Sequence, residues 1–338
     1  MKFSDLFLTV LFLLSPFMAI SIGVADIDTV DVINAMTSLL SNDVQKDAIT
    51  HTIILELRAP RVLLAMMAGA GLAMAGFVLQ IITRNSLADP YLFGISSGAT
   101  LGAVLVISVS ATLGFNFPVI QSLGIPLAAF LGSVVAVFLV LSLAGTGIQV
   151  ERLVLAGVAT SFMLSAFSSL VLYASDPQAA ASVLFWTLGS FAHAQWSDVG
   201  IVFLSIIFTA VVCMLLWRPL NTLLAGDVQA LTLGVNAKKL RTVMLLITSF
   251  LTAMLVAHTG GIGFVGLMIP HIVRRIFLGS VLTQLIYNLL LGAVFMLWVD
   301  VVARSLLDGH ELPIGIITAA IGSIFFLFVL RRPAANQY

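Results

Sequence analysis

"LRAPRVLLAMMAGAGLAMAGFVLQIITRNSLADP", residues 57–90, decides how the whole chain is read. Arg58 and Arg61 precede a charge-free run from Val62 to Thr83, and Arg84 closes it. A helix rises about 1.5 Å per residue, so such a run crosses a hydrocarbon core about 30 Å thick. Basic residues mark the cytoplasmic end of a membrane span. Both ends of one span cannot be cytoplasmic, so one set of these charges breaks the rule and needs a reason.

The same apolar pattern repeats on either side. The 338 residues are 60% hydrophobic and only 9% charged, with a mean hydropathy of +1.16, where soluble domains carry about 25% charged residues. This is the composition of an all-α polytopic membrane protein. The net charge of +0 implies no nucleic-acid partner. The single cysteine, Cys213, lies in an apolar run and reads as a buried structural residue rather than a disulfide or metal ligand. Charge-free runs predict ten spans, roughly 5–25, 60–82, 92–112, 122–144, 152–174, 197–217, 239–258, 264–279, 281–305 and 312–330. The long run 90–150 breaks near Gly114–Pro126. The run 242–273 breaks at "HTGGIG" (His258–Gly263), where three glycines favour a turn. The segment 177–197 holds Pro177, Gln178, Gly189, His193 and Gln195, and reads as a half-inserted or surface helix. The first span is expected to be retained, although "GVA" (Gly23–Ala25) resembles a signal-peptide cleavage site.

The charge rule supports this count. With the N-terminus inside, the cytoplasmic segments hold Lys2, Arg84, Arg152, Arg218, Lys238, Lys239, Arg241, Arg274, Arg275, Arg331 and Arg332, which is 11 of the 15 lysines and arginines. Arg84 is then the inside marker. Lys46, Arg58, Arg61 and Arg304 are the exceptions outside, beneath a loop (26–57) carrying Asp26, Asp28, Asp31, Asp43, Asp47 and Glu56. Arg58 and Arg61 share a helix face by their i, i+3 spacing. They read either as groups that snorkel to lipid phosphates and pair locally, or as a cluster that receives a partner's carboxylates. Arg304 follows Asp300 by four residues, the order that favours a helical ion pair.

Small residues crowd the second span, from Ala65 to Gly76. They imply close helix packing, or a smooth pore wall with Gln80 facing it. "RNSLADP" (Arg84–Pro90) is a tight turn in which Asn85, Ser86 and Asp89 can bond the backbone. "RPLNTLLAGDVQALTLGVNAKKLR" (Arg218–Arg241) is the longest cytoplasmic loop. In it Asp227 is expected to cap a short helix and Gly234 to end it. That helix carries Val228, Ala230, Leu231 and Leu233, and suits a membrane surface or a cytoplasmic partner equally. The five histidines are scattered, with no second ligand at helical spacing, so no metal site or cofactor is expected. There is no phosphate-binding G-x-x-x-x-G-K-[ST] loop and no catalytic constellation, so the chain reads as a non-enzyme.

Taken together, "RAPRVLLAMMAGAGLAMAGFVLQ…RNSLADPYLFGISSGA", "LGVNAKKLR", "GGIGFVGLMIPHIVRR", "LGAVFMLWVDVVAR" and "ELPIGIITAAIGSIFF" resemble the FecCD family. Its members are permease subunits of type II ABC importers for iron–siderophores, haem and vitamin B12. The resemblance implies ten transmembrane helices per subunit in a permease dimer. Two cytoplasmic ATPase subunits bind below and a periplasmic binding protein docks above. It implies that Arg58, Arg61 and Arg304 receive acids of the binding protein and that Asn85 and Leu87 help form the cytoplasmic gate. Gly226, Asp227, Ala230, Leu233 and Gly234 belong to the coupling helix that fits the ATPase groove, which favours a partner over a membrane surface for that segment. Two departures stand out. The stretch after Arg275, Ile276–Gln284, has no charge where the family usually shows Asp-His-Arg, and His258 replaces a small residue before the glycine turn. His258 is expected to be a hydrogen-bonded helix end. The function implied is import of a metal chelate, iron(III)–siderophore first, with haem, vitamin B12 and molybdate as alternatives. An ion-coupled secondary transporter is the competing class; the one acid well inside a span, Asp300, argues against it.

Overall fold

The computed structural model describes residues 3–23, 32, 48–113, 124–145, 150–307 and 309–331. The acids and Lys46 of the outer loop up to Asp47, Lys2, Arg332 and most of the break expected at Gly114–Pro126 lie outside the described residues. Among the described residues every regular element is helical. In chain order they are α1 (Phe3–Ser21), α2 (Ala48–Thr52), α3 (Ala59–Thr83), α4 (Ile95–Leu113), α5 (Ile125–Ala144), α6 (Val150–Tyr173), α7 (Pro177–Thr187), α8 (Trp196–Leu215), α9 (Trp217–Ala225), α10 (Asp227–Thr232), α11 (Ala237–Thr259), α12 (Val265–Ile276), α13 (Val281–Ser305) and α14 (Ile314–Leu330). A π-helical turn, Ile53–Arg58, joins α2 to α3 without a break, and a 3-10 turn, Pro90–Phe93, leads into α4.

The ten expected spans correspond to α1, α3 to α6, α8 and α11 to α14. The segment 177–197 yields α7, which at 11 residues rises only about 16 Å and cannot cross. Asp176 caps it by accepting from the Gln178 amide. α12 departs from expectation. It has 12 residues against the sixteen or so predicted, rises about 18 Å, and covers only part of the core.

α3 is the centre of the bundle, packed by α13, α11, α12 and α8. Its small residues are packing surfaces, as their abundance suggested. A β-carbon on Gly69 would overlap the Gly292 carbonyl of α13, and one on Gly76 would overlap the Gly266 carbonyl of α12. At these two crossings backbone meets backbone, the close approach that glycine permits in a membrane. Gln80 does not face a pore. It is buried, donating to the carbonyls of Gly266 and Leu267 (3.4 Å each) and accepting from Arg274. Cys213 is buried on α8.

Candidate functional site

At the end of the bundle expected to face outward, Arg58, Arg61 and Arg304 lie together on three elements. Arg58 closes the π-helical turn, Arg61 lies in the first turn of α3, and Arg304 in the last turn of α13. A helix leaves its last four carbonyls without intrahelical partners. Three of those of α1 are met by Arg58 and Arg304. Arg58 Nη1 donates to the carbonyls of Ile20 (2.6 Å) and Ser21 (3.2 Å), and Arg304 Nη2 donates to that of Ala19 (2.6 Å). Arg58 and Arg304 are accordingly only 7% and 6% exposed. Neither spreads into lipid, so the snorkelling alternative is corrected here.

Arg61 holds two acids. Its Nε and Nη2 donate to Asp300 Oδ1 at 3.0 and 2.9 Å, and its Nη1 and Nη2 donate to Glu311 Oε1 and Oε2 at 2.7 and 3.0 Å. The helical pair expected between Asp300 and Arg304 exists, but at 3.5 Å from Arg304 Nε, and Arg61 is the nearer partner. Glu311 lies in the loop before α14, and the hydrogen bonds from Arg61 hold its carboxyl below the usual glutamate range. Sequence reasoning did not find Glu311. Its signal was a lone acid in "GHELPIG", close in the chain to Arg304.

His258 is the hydrogen-bonded helix end expected of it. It lies in the last turn of α11, with Nδ1 2.9 Å from Asp198 Oδ1 in the first turn of α8.

At its other end, expected to be cytoplasmic, α3 stops in a Schellman motif. Arg84 takes a left-handed conformation (φ 51°), its amide donates to the Ile81 carbonyl, and the Asn85 amide donates to that of Gln80. Asn85 Oδ1 then accepts from the Leu87 amide (2.9 Å), and Asp89 Oδ1 from the Tyr91 amide (2.7 Å). The turn projects Leu87 to solvent and buries Asp89, and that burial raises the Asp89 carboxyl to about 6.

Beside this turn is α10. Gly226 is its N-cap, and Asp227 is its first residue, not the cap expected. The Asp227 carboxylate is instead held by Arg241, whose Nη1 and Nη2 donate to its two oxygens at 2.8 and 2.7 Å. This pairing pulls the Asp227 carboxyl below the ordinary aspartate range. Gly234 (φ 77°) ends the helix as expected, its amide donating to the Leu231 carbonyl. The apolar face is smaller than expected, because Ala230 points inward at 0% exposure. Val228, Leu231 and Leu233 are presented to solvent at 74%, 72% and 67%.

The comparisons with known proteins bear on this arrangement. A model of the FecCD transport family matches residues 8–332. The chain is 40% identical over 281 residues to the probable iron chelatin transport system permease protein of Helicobacter pylori, covering 83% of this chain and 82% of that protein. It is 36% identical over 296 residues to the hemin transport system permease protein of Yersinia pestis, covering 87% of each. Among solved structures, an inward-facing putative metal-chelate type ABC transporter matches with a TM-score of 0.82 and 33% identity, over 96% of this chain and 97% of that one.

Proposed function

The chain belongs to the FecCD transport family, and from that premise we propose that it is the permease subunit of an ATP-driven ABC importer. It carries a metal chelate, iron(III)–siderophore first, across the bacterial inner membrane, with both termini in the cytoplasm. The observation that carries this reading is α10, an exposed apolar helix clamped by an arginine on the side where basic residues concentrate. It fits a groove on an ATPase. The sequence has no phosphate loop of its own, so ATP hydrolysis belongs to that partner. A second permease subunit, taken as a like copy, two ATPase subunits and a periplasmic binding protein complete the assembly.

The outer cluster fits the docking role in a particular way. Arg58, Arg61 and Arg304 already have acceptors, so a partner's carboxylate must exchange with one of them. Glu311 is the exchangeable acceptor, since its side chain is 42% exposed while that of Asp300 is 0%. The carbonyls of α1 and the buried Asp300 keep the other donors in place. On the inside, Asn85 shapes the turn that presents Leu87 as the cytoplasmic gate, and ATP binding displaces α10 beside it.

The experiment is reconstitution. The chain is purified with its ATPase, placed in proteoliposomes with its binding protein, and offered a ferric siderophore, haemin, cyanocobalamin and molybdate, with and without ATP. ATP-dependent uptake of one of them is expected, and the panel identifies which. Uptake in the absence of an ATPase would end this reading in favour of an ion-coupled transporter working alone. Arg61→Lys keeps the charge and loses the fork, so it is expected to weaken binding-protein affinity. Unchanged affinity would remove the docking assignment.

A further inference from the structure

Arg241 touches more of the cytoplasmic machinery than any role yet given to it requires. It lies in the second turn of α11, and its side chain is only 12% exposed. Its two Nη atoms grip Asp227, the first residue of α10. Its Nε donates to the Ile82 carbonyl at 2.7 Å. Ile82 is in the last turn of α3, where the Schellman motif satisfies Gln80 and Ile81 and leaves the Ile82 carbonyl to be met from elsewhere. One planar group therefore joins α10, α11 and the helix that leads directly into the 84–89 turn.

The geometry resists slack. A guanidinium presents its donors in a fixed plane, so a bidentate grip on Asp227 constrains orientation as well as distance. Arg84, in the turn itself, lies 3.8 Å from Asp227 Oδ1, a second and more exposed link. On its other side the turn is held from α12. Arg274 donates to Gln80 Oε1, and Gln80 Nε2 reaches the Ala88 carbonyl at 3.5 Å. A displacement of α10 thus has a stiff route to residues 84–89.

We propose that Arg241 is a positioning residue that transmits displacement of α10 to the gate turn, using Asp227 as its handle and the Ile82 carbonyl as its anchor. The proposal rests on the reading of α10 as the helix that meets the ATPase. The plainer role is that Arg241 merely caps α3. The two roles separate at Asp227→Asn, which leaves the cap on Ile82 intact and reduces the bidentate, charged grip on α10 to a single neutral acceptor.

The test uses the complex with its copurified ATPase. Replacing Cys213 by alanine removes the one native thiol of this chain, and Leu87→Cys places a new one on the exposed turn. Labelling by a membrane-impermeant maleimide is timed in inside-out vesicles with and without ATP and vanadate. With Arg241 and Asp227 intact, ATP is expected to change the labelling rate several-fold. In Asp227→Asn and Arg241→Gln the two rates are expected to become equal while the ATPase still copurifies. A capping role predicts instead that Asp227→Asn keeps the full response, and that result overturns the proposal. Loss of the ATPase from either variant also overturns it, because the pair would then build the socket rather than carry its motion. If no ATPase copurifies with the unsubstituted chain, the importer reading itself has failed, which is a distinct result.

Discussion

Removing the charge of Asp300 tests whether the outer arginines form a buried electrostatic unit. Asp300→Asn keeps the shape of the side chain but replaces one acceptor oxygen by an amide donor. That donor would face either Arg61, whose Nε is 3.0 and 3.2 Å from the two oxygens, or Arg304 Nε at 3.5 Å. Asp300 is fully buried, and the Arg61 and Arg304 side chains are 12% and 5% exposed, so water cannot replace the lost partner. Breaking a buried pair by removing one member costs about 3–5 kcal/mol, because the remaining charge is left uncompensated. The cost is a drop of on the order of a hundredfold or more in the ratio of folded to unfolded chain. Glu311→Gln removes a carboxylate from the same guanidinium at an exposed position, where a pair is worth about 0–1 kcal/mol. Unfolding of the purified chain in mixed micelles by increasing denaturing detergent compares the two directly. The expected order is a large loss for Asp300→Asn and almost none for Glu311→Gln. The double variant Arg61→Met, Asp300→Leu should recover only part of the loss, because it removes that pair but leaves the buried Arg304 guanidinium without its carboxylate. Equal effects of the two single variants would refute the reasoning, as would an Asp300→Asn within 1 kcal/mol of the parent chain.

Three further outcomes follow from the geometry. Gly76→Val should prevent folding, because the added carbons meet the Gly266 backbone rather than a side chain that can rotate away; Gly200→Ala, with open space around it, should be neutral, and the folded yield in detergent separates them. Arg84→Gly should be neutral or stabilise the chain by up to about 1 kcal/mol, since glycine adopts φ 51° without the steric cost that arginine bears there and the lost pair with Asp227 is exposed; this is read in the same detergent titration. The Asp89 carboxyl, raised to about 6 by burial, favours the fold in its protonated form, so its contribution is fully present below the unfolded value near 4 and is lost as pH rises through about 6. Asp89→Asn keeps the acceptor for the Tyr91 amide and does not ionise, so it should slow amide exchange in residues 84–92 at about pH 7.5 relative to the parent chain and match it at about pH 4.

What the sequence revealed and what it withheld divide along a physical line. Spans were legible because a charge inside hydrocarbon is costly, and that cost is visible in one dimension as a charge-free run. Local turns were legible for a similar reason. Asn85, Asp89 and Gly234 act on backbone within two or three residues, so their roles follow from neighbours in the chain. The partners of the arginines were not legible. Arg61 meets Asp300 across 239 residues and Glu311 across 250, and although each acid stands out in its own segment, nothing local names Arg61 as its partner. The local rule was incomplete at two places, although the Asp300–Arg304 pair it predicts exists. Asp300 and Arg304 have ideal helical spacing, yet Arg304 gives its short bond to the Ala19 carbonyl and leaves Asp300 chiefly to Arg61. Asp227 is a second such case, where a good capping residue is taken by an arginine 14 positions away.

Arg58 and Arg304, which break the charge rule, and Arg241, which obeys it, then share a physical cause. A membrane helix must satisfy its backbone without water wherever its end is covered by protein. The end of α1 is covered by protein, and Arg58 and Arg304 supply donors to three of its terminal carbonyls. The end of α3 is covered likewise, and Arg241 supplies the donor to Ile82. A guanidinium suits this task because it stays charged, complements the negative end of the helix dipole and still has donors to spare for a carboxylate. The spare donors of Arg241 hold Asp227, and Arg61 beside the outer pair holds Asp300 and Glu311. The exceptions at Arg58, Arg61 and Arg304 therefore need no cytoplasmic placement. They are placed by the helix end and the buried acid they satisfy, and under the proposed docking role the exposed Glu311 is where a partner's carboxylate would enter.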